Sequence, residues 1–266
     1  MSPVRIARTR LVRVSRLDAA ERDAMFTLMA RYYVGMERAG FERDLDEKQF
    51  VIRMQAQDGE LLGFSTIQLL HSTYAGRKVV TVFSGDTVID ERCWGQKQLQ
   101  RTFTKFLLRT RLRYPLRTVY WFLISKGYKT YLLMRNNLKM FPNHTGRTPA
   151  GAQEALERVA RLKYPDAYDP ERGVIKSCGA AVKHEVADLD PRDLEHPDIG
   201  FFCAQNPGWR QGDELCCLAD VRLRELLISA LKYSLLYPLL TLLGRDPRGA
   251  RKRPVPVVGS RDGGTL

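Results

Sequence analysis

The spacing of apolar side chains predicts a series of helices and strands in the first half of the chain. Apolar positions recur at helical intervals from Leu17 to Gly40, which predicts a helix that Asp18 can cap. Residues 49–57 and 60–70 alternate between apolar and polar side chains on either side of Asp58-Gly59, a strong turn sequence. This pattern predicts an antiparallel hairpin.

A third strand follows, and then the period changes. Residues 77–90 predict a strand interrupted at Ser84-Gly85, where a glycine indicates a bulge or the close approach of a ligand. Residues 95–113 place apolar side chains on one helical face and Lys and Arg on the other. Thr118–Ser125 is a continuous apolar run, typical of a strand buried on both faces, and residues 128–137 predict a short helix.

The character of the sequence changes near residue 148. A helix is predicted to end at Tyr164, a stretch rich in Pro, Gly and Asp follows, and one more strand is predicted over residues 212–219. A strongly apolar helix is predicted over residues 221–243. The predicted parts of the chain are a core over residues 1–147, an accessory region over 148–220, an apolar helix over 221–245 and a disordered basic tail over 246–266.

Charge and cysteine content restrict the classes of function. The 266 residues include 43 Lys and Arg against 30 Asp and Glu, a formal net charge of +13 that favours an anionic partner. Nucleic acid, a membrane surface, or a phosphorylated cofactor with an acidic carrier protein would fit. The five Cys are odd in number and irregularly spaced, so no disulfide framework is predicted, and without a C-x-x-C pair and with four scattered His no structural zinc site is predicted. No signal peptide is recognised, which predicts a cytoplasmic protein.

The segment from Thr87 to Lys105 is the strongest candidate for a binding site. It runs from a strand end through a tight turn into a basic helix, and the first turn of a helix offers unpaired N–H groups to an anion. Such a turn suits a pyrophosphate group. The residues predicted to bind it are Val88, Arg92, Trp94, Gly95, Gln96 and Lys97.

This motif resembles the pyrophosphate loop of the GNAT (acetyltransferase-like) acyltransferase superfamily. Arg92-x-x-Gly95 matches the loop that follows the family's fourth strand, whereas Lys97 stands where the family has a small residue. The resemblance covers residues 17–142. It implies an α+β fold with a central mixed, mostly antiparallel sheet flanked by helices. It also implies an acyl-thioester donor, either acyl-CoA or an acyl carrier protein.

The resemblance implies direct transfer, without a covalent enzyme intermediate. The fourth and fifth strands of such enzymes diverge around the donor, and a backbone N–H near the bulge holds the thioester carbonyl. A tyrosine on the next helix protonates the leaving thiolate, which Tyr131 fits first and Tyr128 second. Asp86, in the interrupted strand, could accept the proton of an attacking amine. The alternatives are that both tyrosines are packing residues and that Asp86 is a solvated strand residue.

The predicted function is transfer of an acyl group, preferably a long-chain fatty acyl group, to an amine. The preference comes from residues 226–243, where an apolar helix with basic flanks suits an anionic membrane surface. A peripheral location on the inner face of the membrane is therefore expected, unless the helix packs on the domain or a second subunit. The alternatives are N-acetyl transfer from acetyl-CoA to a small molecule or protein, a non-catalytic relative, and nucleic-acid binding. The last is disfavoured because the aromatic residues fall mostly in apolar runs.

Overall fold

The computed structural model describes residues 4–74, 76–176, 181–182, 189, 191–236 and 239–240. The helices are α1 (Ala19–Tyr32), α2 (Arg38–Asp46), α3 (Gln98–Arg113), α4 (Tyr128–Arg135), α5 (Ala150–Lys163), α6 (Pro197–Gln205) and α7 (Leu223–Leu231). The strands are β1 (Arg8–Arg13), β2 (Tyr33–Val34), β3 (Phe50–Gln55), β4 (Leu61–Tyr74), β5 (Arg77–Ile89), β6 (Thr118–Ser125), β7 (Met140–Phe141), β8 (Tyr168–Asp169), β9 (Val174–Ile175), β10 (Ala181–Val182) and β11 (Glu214–Asp220).

A nine-stranded mixed sheet forms the centre of the molecule. Its strand order is β1-β3-β4-β5-β6-β11-β9-β8, and the short β7 pairs with β11 beside this path. Neighbouring strands are antiparallel except β5 and β6, which run parallel with α3 as their connection. The predicted class, α+β with a mixed, mostly antiparallel sheet and flanking helices, is confirmed.

Helices cover both faces of this sheet. Alternate residues of β5 and β6 point to opposite sides, so Val82 and Trp121 pack with α3 while Phe83 and Phe122 pack with α5. The helix α3 buries the apolar face that its sequence predicts. Its buried residues are Leu99, Phe103, Phe106, Leu107 and Thr110.

One strand near the N-terminus was not predicted, and one predicted helix is wrong. The unpredicted strand is β1, an edge strand paired with β3 over six residues, and the arginines at its ends are exposed. The single helix predicted over residues 17–40 is two helices, α1 and α2, separated by β2 and by Gly35 at a φ of 72°. The predicted start is correct, because Asp18 and Glu21 form a reciprocal capping box.

The second half of the chain contributes to the same sheet. The predicted strand in residues 212–219 is β11, which pairs antiparallel with β6 over six residues although it lies in the predicted accessory region. In the predicted apolar helix, α7 ends at Leu231 and a π-helical turn covers Lys232–Leu236. The predicted disordered tail lies outside the described residues.

Candidate active site between two diverging strands

A cleft opens where the parallel strands β5 and β6 separate. Their pairing ends at Ser84 and Leu123, and β5 then continues along β4 while β6 ends at Ser125. The space between the two strand ends is a cavity of about 530 Å³. Both strand ends, the start of α3 and the start of α4 line it, as expected from the resemblance stated above.

The predicted interruption of β5 is a bulge that projects into this cleft. The register changes from Ser84, opposite Ile67, to Thr87, opposite Ser65, so two residues of β5 face Thr66. These two residues are Gly85 and Asp86. A Cβ atom on Gly85 would lie 2.7 Å from the Thr66 hydroxyl oxygen and 2.9 Å from Cε of Lys48, so the Thr66 or Lys48 side chain would have to shift to admit a larger residue.

Asp86 shares its end of the cleft with two further carboxyl groups. Asp44 comes from α2 and Glu214 from β11, and both line the same cavity. The ammonium of Lys48 lies 2.5 Å from the Asp44 carboxylate, and Lys126 lies 3.5 Å from Glu214. Three carboxyl groups thus face two lysines, which leaves this end of the cleft acidic in a chain that is strongly basic.

Burial changes the proton affinity of this cluster. Burial first, and then the neighbouring Asp44 carboxylate, raises the pKa of Asp86 to about 7, although Lys48 opposes the shift. Asp86 and Asp44 are also joined by a hydrogen bond. Burial likewise raises the pKa of Glu214, against the effect of Lys126. Asp86 can therefore exchange a proton near neutral pH, which a general base requires.

The two candidate tyrosines lie in different surroundings. Tyr128, the first residue of α4, lines the cleft. Tyr131 is fully buried and does not line the cleft; its hydroxyl donates to the carbonyl oxygen of Pro142 at 3.1 Å. Burial raises the pKa of Tyr131, and Phe201 and Phe202 pack on its ring. The first choice from sequence thus occupies a packing position, and the second choice faces the cleft.

The predicted donor loop has the expected backbone conformation, but its arginine binds carboxylates of the protein itself. Gly95 adopts a φ of 87°, and α3 begins at Gln98 with no capping side chain and no acid in its first turn. Arg92, however, does not line the cleft. Its guanidinium binds Asp90 through two hydrogen bonds of 2.8 and 2.9 Å and donates to Glu60 at 2.6 Å. Arg92 therefore holds the loop and is not directed at a phosphate group.

Of the other predicted donor residues, two line the cleft and two do not. Val88 and Trp94 line the cleft, and the Lys129 ammonium lies 5.1 Å from the Trp94 ring centroid, which links the loop to α4. Gln96 instead binds the backbone of Val4 and Ile6 and so fixes the N-terminal segment. Lys97 is the residue immediately before α3 and makes no capping contact through its side chain.

Gln100 fits an acyl-pantetheine arm and was missed by the sequence analysis. It lies in the first turn of α3 and lines the cleft, and its side-chain carbonyl oxygen is buried without a hydrogen-bond donor among the described residues. A buried unpaired acceptor is costly, and the amide N–H groups of a pantetheine arm would satisfy it. A glutamine within a basic helix carries no sequence signal for this role.

Neither metal chemistry nor a reactive cysteine is indicated by the described part of the chain. Within it, no group of three or more His, Cys, Asp or Glu side chains is arranged to hold a metal ion. Cys93 is buried, and burial raises the pKa of its thiol, so it does not suit a nucleophile.

No protein-family model matches the chain, and no curated protein matches its sequence. Among solved structures, it is similar to a GNAT family N-acetyltransferase, YhbS of Escherichia coli, in complex with CoA (14% identity, 52% of this chain, 72% of that chain, TM-score 0.36). It is also similar to a probable N-acyltransferase of Enterococcus faecalis (14% identity, 58% and 43%, TM-score 0.37) and to Escherichia coli ElaA (19% identity, 54% and 93%, TM-score 0.34). Function is therefore inferred from the cleft itself.

Two members of the acidic cluster were also missed by the sequence analysis. Asp44 lies in a helix rich in charged residues, and Glu214 begins a strand far along the chain. Nothing in their local patterns distinguishes them from solvated residues. Within this cluster, the Ser84-Gly85 interruption next to Asp86 was the sequence feature that indicated the site.

Proposed function

We propose that the protein is an acyltransferase that moves an acyl group from a thioester donor to an amine. The observation that carries this proposal is the position of Asp86, a half-buried carboxyl group on a strand bulge, at the point where two parallel strands separate. A thioester placed between the strand ends would present its carbonyl carbon to an amine held at the acidic end of the cleft. No cysteine is among the described residues that line the cleft, so direct attack is favoured.

The proposed reaction uses two side chains of the cleft. Asp86 accepts a proton from the amine as its nitrogen attacks the thioester carbon, which forms a C–N bond and a tetrahedral intermediate. The intermediate collapses, the C–S bond breaks, and Tyr128 donates its proton to the leaving thiolate. Backbone N–H groups at the bulge would stabilise the negative oxygen. The products are an amide and a free thiol.

The acidic cluster supports an acceptor that arrives as a cation. Asp44, Asp86 and Glu214 converge on one end of the cleft, where an ammonium group would find favourable electrostatics before it loses its proton. The ammonium releases one proton to solvent, and the carboxyl of Asp86, with its pKa of about 7, then takes the second proton as the nitrogen attacks. An amine therefore suits this cleft better than an alcohol or a thiol.

The surface of α3 favours an extended anionic donor. Five basic residues follow one another at four-residue spacing, and the helix contains no acid. They are Lys97, Arg101, Lys105, Arg109 and Arg113. Like charges at this spacing destabilise a helix, and an anionic partner would offset that cost. Both CoA and an acidic acyl carrier protein remain donors in this proposal.

A transfer assay tests the proposed function. Acetyl and palmitoyl groups would each be offered on CoA and on a carrier protein, with a panel of primary amines, and the released thiol and the amide product would be measured. Thiol release that depends on the amine supports the proposal, and the faster acyl group separates long-chain transfer from the N-acetyltransferase alternative. Absence of an amide product with all four donors, for a folded protein, would contradict it.

Gln100→Leu is expected to weaken donor binding. The buried carbonyl oxygen of Gln100 would lose its hydrogen bond to the donor arm, worth about 1 kcal/mol or somewhat more, so the donor KM should rise five- to tenfold. The acceptor KM should change little. Gln98→Leu, on the same turn but outside the cleft lining, is the matched control. Equal donor KM values for the two variants would remove Gln100 from the donor site.

The exposed face of α7 supports contact with an anionic membrane surface. Leu227, Ile228 and Leu231 are 48%, 55% and 58% exposed, and Leu235, Leu236 and Leu239 continue the apolar surface. Such a patch of leucines next to Arg222 and Arg224 suits the interface of a lipid bilayer. Of the helices that the structure describes, none is long and apolar enough to cross a membrane.

Leu227→Ser combined with Leu231→Ser should release the protein from anionic vesicles. Each leucine contributes up to about 1.5–3 kcal/mol when fully buried, so vesicle binding should fall at least tenfold in a flotation assay. Leu162→Ser, in an exposed position of α5, is the control. Deleting residues 221–266 is a poorer test because Val221 and Leu226 are buried in the core. Equal flotation of parent and double variant would argue against the membrane contact.

A further inference from the structure

A second, smaller cavity continues from the cleft beneath α3, α4 and α7. Its volume is about 80 Å³, and it shares Leu99, Gln100, Leu123 and Leu133 with the lining of the cleft. Farther from the cleft its walls are largely apolar. They include Phe103, Leu107, Trp121, Leu138 and Leu226.

The helix α7 forms the outer wall of this cavity. Leu226 and Ser229 are 1% and 4% exposed and line it, while their neighbour Leu227 faces outwards. The Ser229 hydroxyl donates to the carbonyl oxygen of Asn137 at 3.2 Å, which ties α7 to the end of α4. One helix thus carries both the cavity wall and the exposed leucine patch.

Several polar side chains that line the small cavity are already paired with each other. The Trp121 indole N–H donates to the Ser84 hydroxyl at 2.9 Å, and the hydroxyls of Ser65 and Thr87 lie 2.8 Å apart. A water molecule in a cavity needs several polar partners, and these groups are bonded to each other, while the unpaired oxygen of Gln100 lies at the wall shared with the cleft. The cavity is therefore suited to an apolar occupant that enters from the cleft.

We infer that this cavity receives the end of the donor's acyl chain, and that Leu226 and Ser229 limit the chain length. The inference rests on the acyl transfer proposed above. A cavity of about 150 Å³ holds the six carbons of benzene, so about 80 Å³ corresponds to roughly three carbons. Each buried methylene changes affinity about fourfold. Filling the cavity should therefore improve binding by tens of fold over a chain that stops in the cleft.

The test measures the binding of S-alkyl pantetheine thioethers with chains of increasing length. These probes need no turnover, and they carry the arm common to CoA and carrier-protein donors. In the parent, Kd should fall about fourfold for each carbon that enters the cavity and then level off. Ser229→Leu should fill the cavity and weaken binding of the longest chains at least tenfold relative to Ser229→Ala, which loses the same hydrogen bond without adding volume.

Leu226→Ala should extend the range of favoured chains, whereas Leu223→Ala, at an exposed position of the same helix, should not. A Kd that is independent of chain length in the parent, or the same length dependence in Ser229→Leu and Ser229→Ala, would overturn the inference. The transfer assay stays separate. If the Kd pattern is as expected but no transfer occurs, the proposed reaction is refuted and the alkyl-binding site is retained. If transfer occurs without that Kd pattern, the alkyl-binding site is refuted and the proposed reaction is retained.

Discussion

Asp86→Asn is expected to lower kcat/KM by about 10²- to 10³-fold, because the amide cannot accept a proton from the attacking amine. In the parent, kcat/KM should rise with pH as Asp86 loses its proton near pH 7, and this limb should be absent from the variant. Asp44→Asn is the informative companion. Removing the Asp44 charge lowers the pKa of Asp86, so the rise of kcat/KM with pH should occur at lower pH.

Asp86→Asn should also stabilise the protein, so that a loss of activity in this variant can be distinguished from misfolding. The folded-state pKa of Asp86 lies above its value in an unfolded chain, about 3.9, so folding binds a proton between these values. The parent therefore loses stability as pH rises from about 4 to 7, and asparagine does not. The variant should show the higher Tm at pH 8, with a smaller difference at pH 4. Activity within threefold of the parent would exclude Asp86 as the base.

Elements with strong periodicity could be predicted closely from the sequence. The strand β6 was predicted with its observed bounds, and α3 buries the apolar face that was predicted for it, because both carry a dense apolar pattern. The strand β1 was missed because it lies at the sheet edge, where its arginines conceal the alternation. The break between α1 and α2 depends on pairing of β2 with the distant β10, which a local pattern cannot show.

The candidate site was predictable in part: Val88, Trp94 and Tyr128 line the cleft as the loop motif and the resemblance implied, and Asp86 was predictable because the chain is irregular beside it. The Ser84-Gly85 interruption indicated the bulge, and Asp86 followed from it. The role of Arg92 could not be predicted, because Glu60 reaches it from a different strand end. Asp44 and Glu214 enter the site only because α2 and β11 approach the bulge from opposite ends of the chain. Sites built from distant elements require the fold before they can be recognised.

The choice between Tyr128 and Tyr131 illustrates the same limit. Both lie in the first turn of α4, three residues apart, and the sequence favoured the buried one. Burial differs because Tyr131 turns towards α6, where Phe202 packs against it. Residues of α6 come from the stretch rich in Pro, Gly and Asp, where no helix was predicted, so their contact with α4 could not be anticipated.

Tyr128→Phe should lower kcat by about 10²-fold and leave the donor KM nearly unchanged, because only the proton for the leaving thiolate is lost. The defect should shrink with a donor whose leaving thiol is more acidic, since such a thiolate needs no proton to depart. A purely structural role for Tyr128 would give the same defect with both donors.

Tyr131→Phe is the matched comparison, because it removes a hydroxyl from the same helix one turn away. Its loss should appear as a reduction of about 1 kcal/mol in the free energy of unfolding, from the hydrogen bond to Pro142, while kcat stays within about twofold of the parent. Denaturant unfolding and steady-state kinetics on the two variants measure both quantities. A large fall in kcat for Tyr131→Phe, with Tyr128→Phe active, would identify Tyr131 as the general acid. It would also require the Pro142 carbonyl to release that hydroxyl during turnover, since the two are bonded in the fold seen here.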